Sequence, residues 1–384
     1  MMKNRLLCSA LALLLALAMC VPALADSAVT KMAIRVDDQT LFIGKDGLIY
    51  ESGSSAAVCT TAASALVYAD GSKLIFISED GTELLEAIIE TAEVEAPKKL
   101  ADVNATAVYV PHDGMIYFLS GDTEDESTLM AINPVTGATE DKLMQSEHML
   151  SPIATLGGLV VETIGDDQSF DSASQAFTHL EKVAPGTEVQ IFGNFQTLLT
   201  FDGNLSLGAA GQSIEATEAI DTGVAVCTMI GATMYYAKED SEATSIYAYD
   251  YISKESEAIC KVDKAALLPS MVSGNGKIYF LGFDPSAVIG DADDSDGSNG
   301  ANVTAYVLDT ETRVANSLDE VGVVYGAHLF ADNKQLLVYG STDGKSGEGL
   351  IKQIALGADE LPVIEPADPE ESEEIGRASC RERV

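Results

Sequence analysis

The chain has 384 residues, 47% of them hydrophobic, and sets 60 Asp and Glu against 22 Lys and Arg, for a formal net charge of −38. That apolar share can build a large core, so the chain is not disordered as a whole. A surface this negative repels nucleic acid and anionic lipid and favours cations, basic partners and solubility.

Residues 1–25 have the three parts of a secretory leader. Lys3 and Arg5 give a positive start, Leu6 to Met19 is an apolar run, and Ala23-Leu24-Ala25 puts small residues where a signal peptidase reads. Cleavage between Ala25 and Asp26 is expected. The run falls short of the roughly 20 residues a comfortable membrane span needs. Lipidation at Cys20 is disfavoured, because Met19 sits where a small residue belongs. The mature chain is therefore expected outside the cytoplasm, secreted or in a bacterial cell envelope.

Residues 26–358 carry a repeat in which a turn with Gly, often Asp-Gly, precedes an apolar strand. Asp46-Gly47 precedes Leu48 to Tyr50, and Asp70-Gly71 precedes Leu74 to Ile77. Thr82 to Ala96 is rich in helix formers and fits either a strand or a short inserted helix. Asp113-Gly114 precedes Met115 to Phe118, and Gly157-Gly158 precedes Leu159 to Val161. Asp202-Gly203 precedes Leu205, and Gly231 precedes Met234 to Tyr236. Gly276 precedes Lys277 to Phe280, and Asp332-Asn333 precedes Leu336 to Tyr339. Asp-Gly between apolar runs is a hairpin signal, because the turn needs positive φ at low steric cost.

Gly71, Gly114 and Gly157 follow one another at about 43 residues, and Gly276 follows Gly231 at about 45, the repeat length of a four-stranded propeller blade. Three units align beyond the turn, through Thr128 to Asn133, Ser245 to Asp250 and Thr304 to Asp309. The predicted fold is all-β, a β-propeller of about seven four-stranded blades, with six or eight also fitting the spacing. Two stacked β-sandwiches are the competing architecture. Gly47 and Gly71, and Gly203 and Gly231, lie much closer together, which predicts that some blades are short.

Residues 359–374 are rich in Pro and Glu and read as an extended linker. Residues 375–384 resemble a translated sequencing adapter and bring Arg377, Arg381 and Arg383 after a long acidic stretch. The natural chain is then expected to continue past the linker.

The body keeps three cysteines, Cys59, Cys227 and Cys260, with no CxxC spacing. Buried strand positions suit them, and a Cys227–Cys260 disulfide is the oxidising alternative. The most acidic loop, Gly290 to Gly300, offers Asp291, Asp293, Asp294 and Asp296 as hard oxygen ligands for Ca²⁺. Its spacing is not that of an EF-hand, and a solvated insertion is the plainer reading. Similar loops at Asp122 to Glu126 and Glu239 to Glu242 would, in four-stranded blades, also join second and third strands. All three would then share one negative face, able to bind a protein, a peptide or cations. Gly340 to Ser346 has the wrong spacing for a phosphate loop and fits a hairpin. His112, His148, His179 and His328 show no metal-ligand spacing, and no nucleophile motif is present. Arg35 and Arg313 are the only arginines of the body, too few for a sialidase carboxylate clamp, and the chain has no Trp.

The segments Asp113 to Phe118, Ile246 to Asp250, Gly276 to Phe280 and Tyr306 to Asp309 resemble the repeat of exported bacterial propellers of the TolB-like and unknown-function type. The resemblance spans Thr40 to Ala355. It implies the fold and a binding or scaffolding role at the cell envelope, and carries over no active site and no cofactor. The alternative is a propeller hydrolase or lyase that uses carboxylates on polysaccharide.

Overall fold

The computed structural model describes residues 32–356, apart from 37–38, 90–94, 103–108, 113–114, 121–125, 134–135, 137, 148, 156–157, 164–179, 184–187, 211–216, 240–242, 264–265, 285–299 and 344–347. The leader with Ala25 and Asp26, the linker, the C-terminal tail, His148, His179 and the Asp291, Asp293, Asp294 and Asp296 loop lie outside the described residues.

Among the described residues, thirty strands form eight sheets in chain order. Blade 1 holds β1 (Ala33–Val36), β2 (Gln39–Ile43), β3 (Ile49–Glu51) and β4 (Ala57–Cys59), and blade 2 holds β5 (Ala63–Ala69), β6 (Lys73–Ser78), β7 (Glu83–Ile88) and β8 (Lys98–Asp102). Blade 3 holds β9 (Tyr109–His112), β10 (Met115–Ser120), β11 (Glu126–Ile132) and β12 (Thr139–Glu147). Blade 4 holds β13 (Met149–Thr155), β14 (Gly158–Thr163) and β15 (Leu180–Val183). Blade 5 holds β16 (Glu188–Phe192), β17 (Phe195–Leu199), β18 (Leu205–Ala209) and β19 (Glu218–Asp221). Blade 6 holds β20 (Val224–Ile230), β21 (Thr233–Glu239), β22 (Ala243–Asp250) and β23 (Glu255–Asp263). Blade 7 holds β24 (Ala266–Gly274), β25 (Lys277–Phe283), β26 (Ala301–Asp309) and β27 (Val314–Val324). Blade 8 holds β28 (Gly326–Ala331), β29 (Gln335–Ser341) and β30 (Gly349–Ala355).

Each sheet is a meander whose sequence neighbours pair antiparallel, except that β15 runs parallel to β14. First strands of successive sheets touch: β1 with β5, β5 with β9, β9 with β13, β20 with β24, and β24 with β28. They are the inner strands of a β-propeller.

The two-residue period of a strand explains why the blades stack. Successive side chains point to opposite faces, and here each face belongs to a different seam. On β6, Leu74 and Phe76 pack towards blade 1, and Ile75 and Ile77 towards blade 3. On β25, Ile278 and Phe280 pack towards blade 6, and Tyr279 and Leu281 towards blade 8. On β29, Leu336 and Val338 pack towards blade 7, and Leu337 and Tyr339 towards blade 1. Phe76, Tyr236, Tyr279, Phe280 and Tyr339 are all under 2% exposed. Burying each such side chain is worth about 1.5–3 kcal/mol, and a single sheet could bury neither face alone.

Among the described residues, the first and last blades share no strand. Phe330, Leu337 and Tyr339 of blade 8 pack on Ala33 and Phe42 of blade 1. The Tyr339 hydroxyl lies 3.2 Å from the Met32 carbonyl and 3.3 Å from that of Ile43. The Lys334 ammonium donates to the Ser52 carbonyl at 3.3 Å.

The structure sharpens several expectations. Eight sheets are present, the upper of the three counts that fitted the spacing. The short blades are blades 4 and 8, with three described strands each. The close glycine intervals have another cause. Gly47 and Gly203 occupy turns between second and third strands, whereas Gly71, Gly231 and Gly276 occupy turns between first and second strands. Both kinds of turn need positive φ, so the local signal does not separate them. Thr82 to Ala96 contributes the strand Glu83–Ile88 and no helix among its described residues. Leu84 faces one seam and Leu85 and Ala87 the other, so packing overrides helix propensity. A Cys227–Cys260 disulfide is excluded. The two cysteines sit on the first and fourth strands of one sheet, about 14 Å apart at sheet spacing, where a disulfide needs Cα atoms within about 7 Å. Both are free, as is Cys59. Gly340 lies inside β29, and a Cβ there would fall 2.0 Å from the Gly326 carbonyl oxygen. Close strand approach therefore explains this glycine.

The closing seam yields a prediction. Tyr339→Phe keeps the ring packing and removes the hydroxyl from two carbonyls, and is expected to cost about 1 kcal/mol. Urea unfolding should show a lower midpoint with an unchanged slope. An unchanged midpoint would mean that this hydroxyl does not hold the first and last blades together.

Candidate functional site

The meander gives the ring two chemically different ends. Turns between first and second strands, and between third and fourth, gather at one end. Connections between second and third strands, and from one blade to the next, gather at the other. At the first end aspartates build the turns. Asp70 accepts the backbone N–H groups of Ser72 and Lys73 at 3.1 and 2.8 Å, and Asp250 those of Ile252 and Ser253 at 2.7 and 2.8 Å. Asp309 accepts from Glu311 and Thr312 at 3.0 and 2.8 Å, and Asp332 from Lys334 and Gln335 at 2.6 and 2.8 Å. Such Asx turns are a local reason for Asp at these positions. Asp46 and Asp80 do the same between second and third strands in blades 1 and 2.

Four cations of blades 6 to 8 are tied to the seams. Lys238 meets Asp221 at 2.9 Å, Lys254 meets Glu218 at 2.7 Å, Arg313 meets Glu257 at 2.7 Å and Lys352 meets Asp319 at 2.9 Å. In every case the cation reaches the outermost strand of the preceding blade. Lys254 and Arg313 close their turns at positive φ, 62° and 60°, each donating its backbone N–H to the carbonyl of the Asp four residues before it. Arg313 makes a two-pronged contact with Glu257, which holds that carboxyl below its usual range. Arg35 lies on β1, so the two arginines of the body are not gathered at one site.

At the second end a recurring contact pins blades 1, 5 and 6 each to the next. Ala63 N donates to Gly47 O at 2.9 Å, and Val224 N donates to Gly203 O at 3.0 Å. Leu267 N donates to the Glu239 carboxylate at 2.6 Å. Each donor opens a blade, and each acceptor lies in or beside the connection between second and third strands of the blade before. Gly203 has φ 76°, and a Cβ there would lie 2.9 Å from Val224 O, so only glycine fits this turn.

The same end carries a polar constellation. Glu188 opens β16, His328 lies near the start of β28, and Glu348 immediately precedes β30. His328 Nε2 is 3.4 Å from Glu348 Oε1. The Gln190 amide donates to the Glu188 carboxylate. Solvent reaches Glu188, yet protein walls it in, and that partial desolvation raises its pKa. The Gln190 bond and the positive charge of His328 oppose the rise. The hydrogen bond to Glu348 raises the His328 pKa, partial burial opposes this, and the charges of Glu348 and Glu188 add to it. Cys227 lies deeper. Burial first, and Glu188 second, push its thiol up to about 12, so it is unreactive at neutral pH.

Beside this constellation a pocket of about 30 Å³ lies among the inner strands of blades 5 to 8, lined by Gln190, Thr228, Met271, Ser273, Leu329 and Phe330, among others. It has room for a water or two, far less than an organic ligand requires. Among the described residues, no three His, Cys, Asp or Glu side chains gather closely enough to hold a metal ion. The acidic segments expected to share a face, Asp122 to Glu126, Glu239 to Glu242 and Gly290 to Gly300, lie wholly or mostly outside the described residues. Sequence reasoning passed over Glu188 and Glu348 and found no metal-ligand spacing at His328. Neither carboxylate has a motif, and only the closing of blades 5 to 8 around one pocket brings them to notice.

No protein-family model matches the chain, and no curated protein matches it. Among solved structures, it is similar to BamB from Moraxella catarrhalis, with 10% identity, coverage of 80% of this chain and 93% of that one, and a TM-score of 0.42. It is similar to oligogalacturonate lyase from Vibrio parahaemolyticus, with 13% identity, coverage of 85% and 89%, and a TM-score of 0.41. It is also similar to the β-propeller domain of the trilobed protease from Pyrococcus furiosus, with 11% identity, coverage of 73% and 93%, and a TM-score of 0.41.

The His328 contact has a definite pH signature. A raised histidine pKa adds stability that is fully present below pH 6.5, its ordinary value, and is lost as pH rises through the higher folded value. Glu188, also raised, acts in the same direction at lower pH: its contribution is full below 4.5 and lost above its folded value. Thermal melts from pH 5 to 9 should fall with rising pH, by under about 1 kcal/mol for the half-exposed histidine pair. His328→Gln should flatten the upper part of that slope. An identical slope in the variant would remove His328 from the account.

Proposed function

We propose that the chain is an exported β-propeller that binds a cationic protein or peptide segment at the end where second strands turn into third strands, as a binding or scaffold module of the cell envelope. In this reading residues 1–25 are the leader, residues 26–358 the working domain and residues 359–374 a linker. One observation carries it. Glu188 and Glu348 stand at that end, and the sequence that joins second to third strands in blades 3, 6 and 7 is acidic, while Lys254, Arg313 and Lys352 are paired across seams. A concentrated negative end attracts a positive partner and speeds its arrival.

A carboxylate hydrolase or lyase would need room for a sugar ring, and the pocket beside Glu188 is about 30 Å³. Calcium at Asp291, Asp293, Asp294 and Asp296 is a separate reading of one acidic connection. Equal calorimetric heats from the chain and from a variant with all four changed to Ala would end it.

The test is calorimetric titration of the mature chain with an alternating lysine–glycine decapeptide, and with its glutamate–glycine counterpart. The lysine peptide should bind at low salt and weaken at least tenfold by 0.3 M salt, as screening requires. The glutamate peptide should not bind. The Glu188→Gln/Glu348→Gln double variant should weaken the lysine peptide severalfold. Failure of the lysine peptide to bind at low salt would defeat the proposal.

A further inference from the structure

His328 interacts with two carboxylates that reach it from separate parts of the chain. Its Nε2 lies 3.4 Å from Glu348 Oε1, with 38% of the His328 side chain and 54% of the Glu348 side chain exposed. Glu188, from the inner strand of blade 5, is close enough for its charge to act on the imidazole as well. The backbone that carries His328 is fixed. Tyr339 pairs with His328 across β28 and β29, and the next residue, Leu329, donates its N–H to Ser270 Oγ at 2.8 Å. Leu329 is fully buried, and Phe330 packs towards blade 1. The imidazole is therefore held on a rigid strand at the proposed binding end, partly open to solvent.

The elements packed against β28 bring few other ionisable groups. β24 carries none. β25 brings Tyr279, and β29 brings Tyr339, whose hydroxyl meets the Met32 and Ile43 carbonyls and is kept protonated by burial. In the connection that carries Glu348, Asp343 accepts from the Ser341 hydroxyl at 3.3 Å. Lys352 of β30 is held by Asp319 at 2.9 Å. Blade 1, across the closing seam, brings Arg35 on β1 and, beyond β2, Lys45 and Asp46, with Asp46 accepting from the Tyr50 hydroxyl at 2.6 Å. Imidazole is the side chain whose ordinary pKa falls between about pH 5 and 8. The hydrogen bond to Glu348 makes His328 keep its proton to higher pH than usual. Protonated, His328 cancels one of the two charges of Glu188 and Glu348. Neutral, it leaves both, and a cationic segment meets that state more favourably.

We infer that His328 is a pH switch for the acidic end, whose protonation beside Glu348 and Glu188 weakens the hold of that end on a cationic segment and whose deprotonation strengthens it. The inference rests on the binding end proposed above and adds its regulation. No backbone movement is needed, because the switch is a change of charge on a fixed strand. Stability and affinity then run in opposite directions: the proton that steadies the fold at lower pH is the one that opposes the partner.

The probe is the lysine–glycine decapeptide, acetylated and amidated at its ends so that its charge stays constant between pH 5.5 and pH 9.0. Calorimetric titration at one low ionic strength should show binding about fivefold tighter at pH 9.0 than at pH 5.5. His328→Gln should bind at both pH values within about twofold of the strength that the unaltered chain shows at pH 9.0. His328→Lys, with a permanent positive charge, should bind at pH 9.0 as weakly as the unaltered chain does at pH 5.5. Linkage supplies a further readout: saturating peptide should move the titration of His328, followed by the NMR signal of its ring, to lower pH. Equal affinity of the unaltered chain at the two pH values would overturn the switch and leave the acidic end standing. A pH step retained in both variants would overturn the role of His328. Absence of binding at either pH at low salt would overturn the binding end and this inference with it.

Discussion

A twisted four-stranded sheet with apolar residues on both faces cannot hide either face by itself, and this constraint governs the whole molecule. Every described second strand in blades 1, 2, 7 and 8 sends alternate residues into two different seams. A blade without its neighbours would leave side chains such as Phe76, Phe280 and Tyr339 in water. The same requirement applies to the first and last blades, so the row of sheets closes on itself. That closure joins Tyr339 to the backbone at Met32, 307 positions away in sequence, and among the described residues it combines packing with the Tyr339 hydroxyl and the Lys334 ammonium.

Charge is arranged on top of this packing. Basic residues are scarce, and in blades 6 to 8 several lie where one blade's edge meets the next. Isolated ion pairs at such exposure contribute little stability. Their consequence is positional: they tie the outer strand of one blade to the next blade. Many aspartates also have a local task. Asp70, Asp250, Asp309 and Asp332 accept two backbone N–H groups each, which reduces how much of the acidity is free to attract a partner. In the proposed reading, recognition is left to Glu188, Glu348 and the acidic sequence that joins second to third strands.

The inner polar constellation shows how a propeller builds a site from residues that have no local relationship. Glu188, His328 and Glu348 come from the inner strand of blade 5 and from two places in blade 8. Each is unremarkable in its own segment. Their pKa shifts arise from walls and charges supplied by other blades, as does the very high pKa of the Cys227 thiol.

Strand identity, the repeat and the fold class were legible in the sequence, because alternating residues such as Lys277 to Phe283 and turns such as Gly276 are read out over a few neighbours. The C-terminal turns of third strands at Asp250 and Asp309 were legible for the same reason. Which turn a glycine occupied was not: Gly47 and Gly203 have the same positive φ as Gly71 and Gly231, and only strand pairing tells one end of a blade from the other. The fate of Glu83–Ile88 was decided by apolar partners on both sides of its sheet, against its helix-forming composition. Separation of Cys227 from Cys260 follows from sheet width, which spacing along the chain does not encode. The gathering of Glu188, His328 and Glu348 at one end depends on contacts between blades far apart in sequence. Local order is set by the near neighbours that the sequence displays, whereas the site is set by ring closure, and that belongs to the tertiary structure alone.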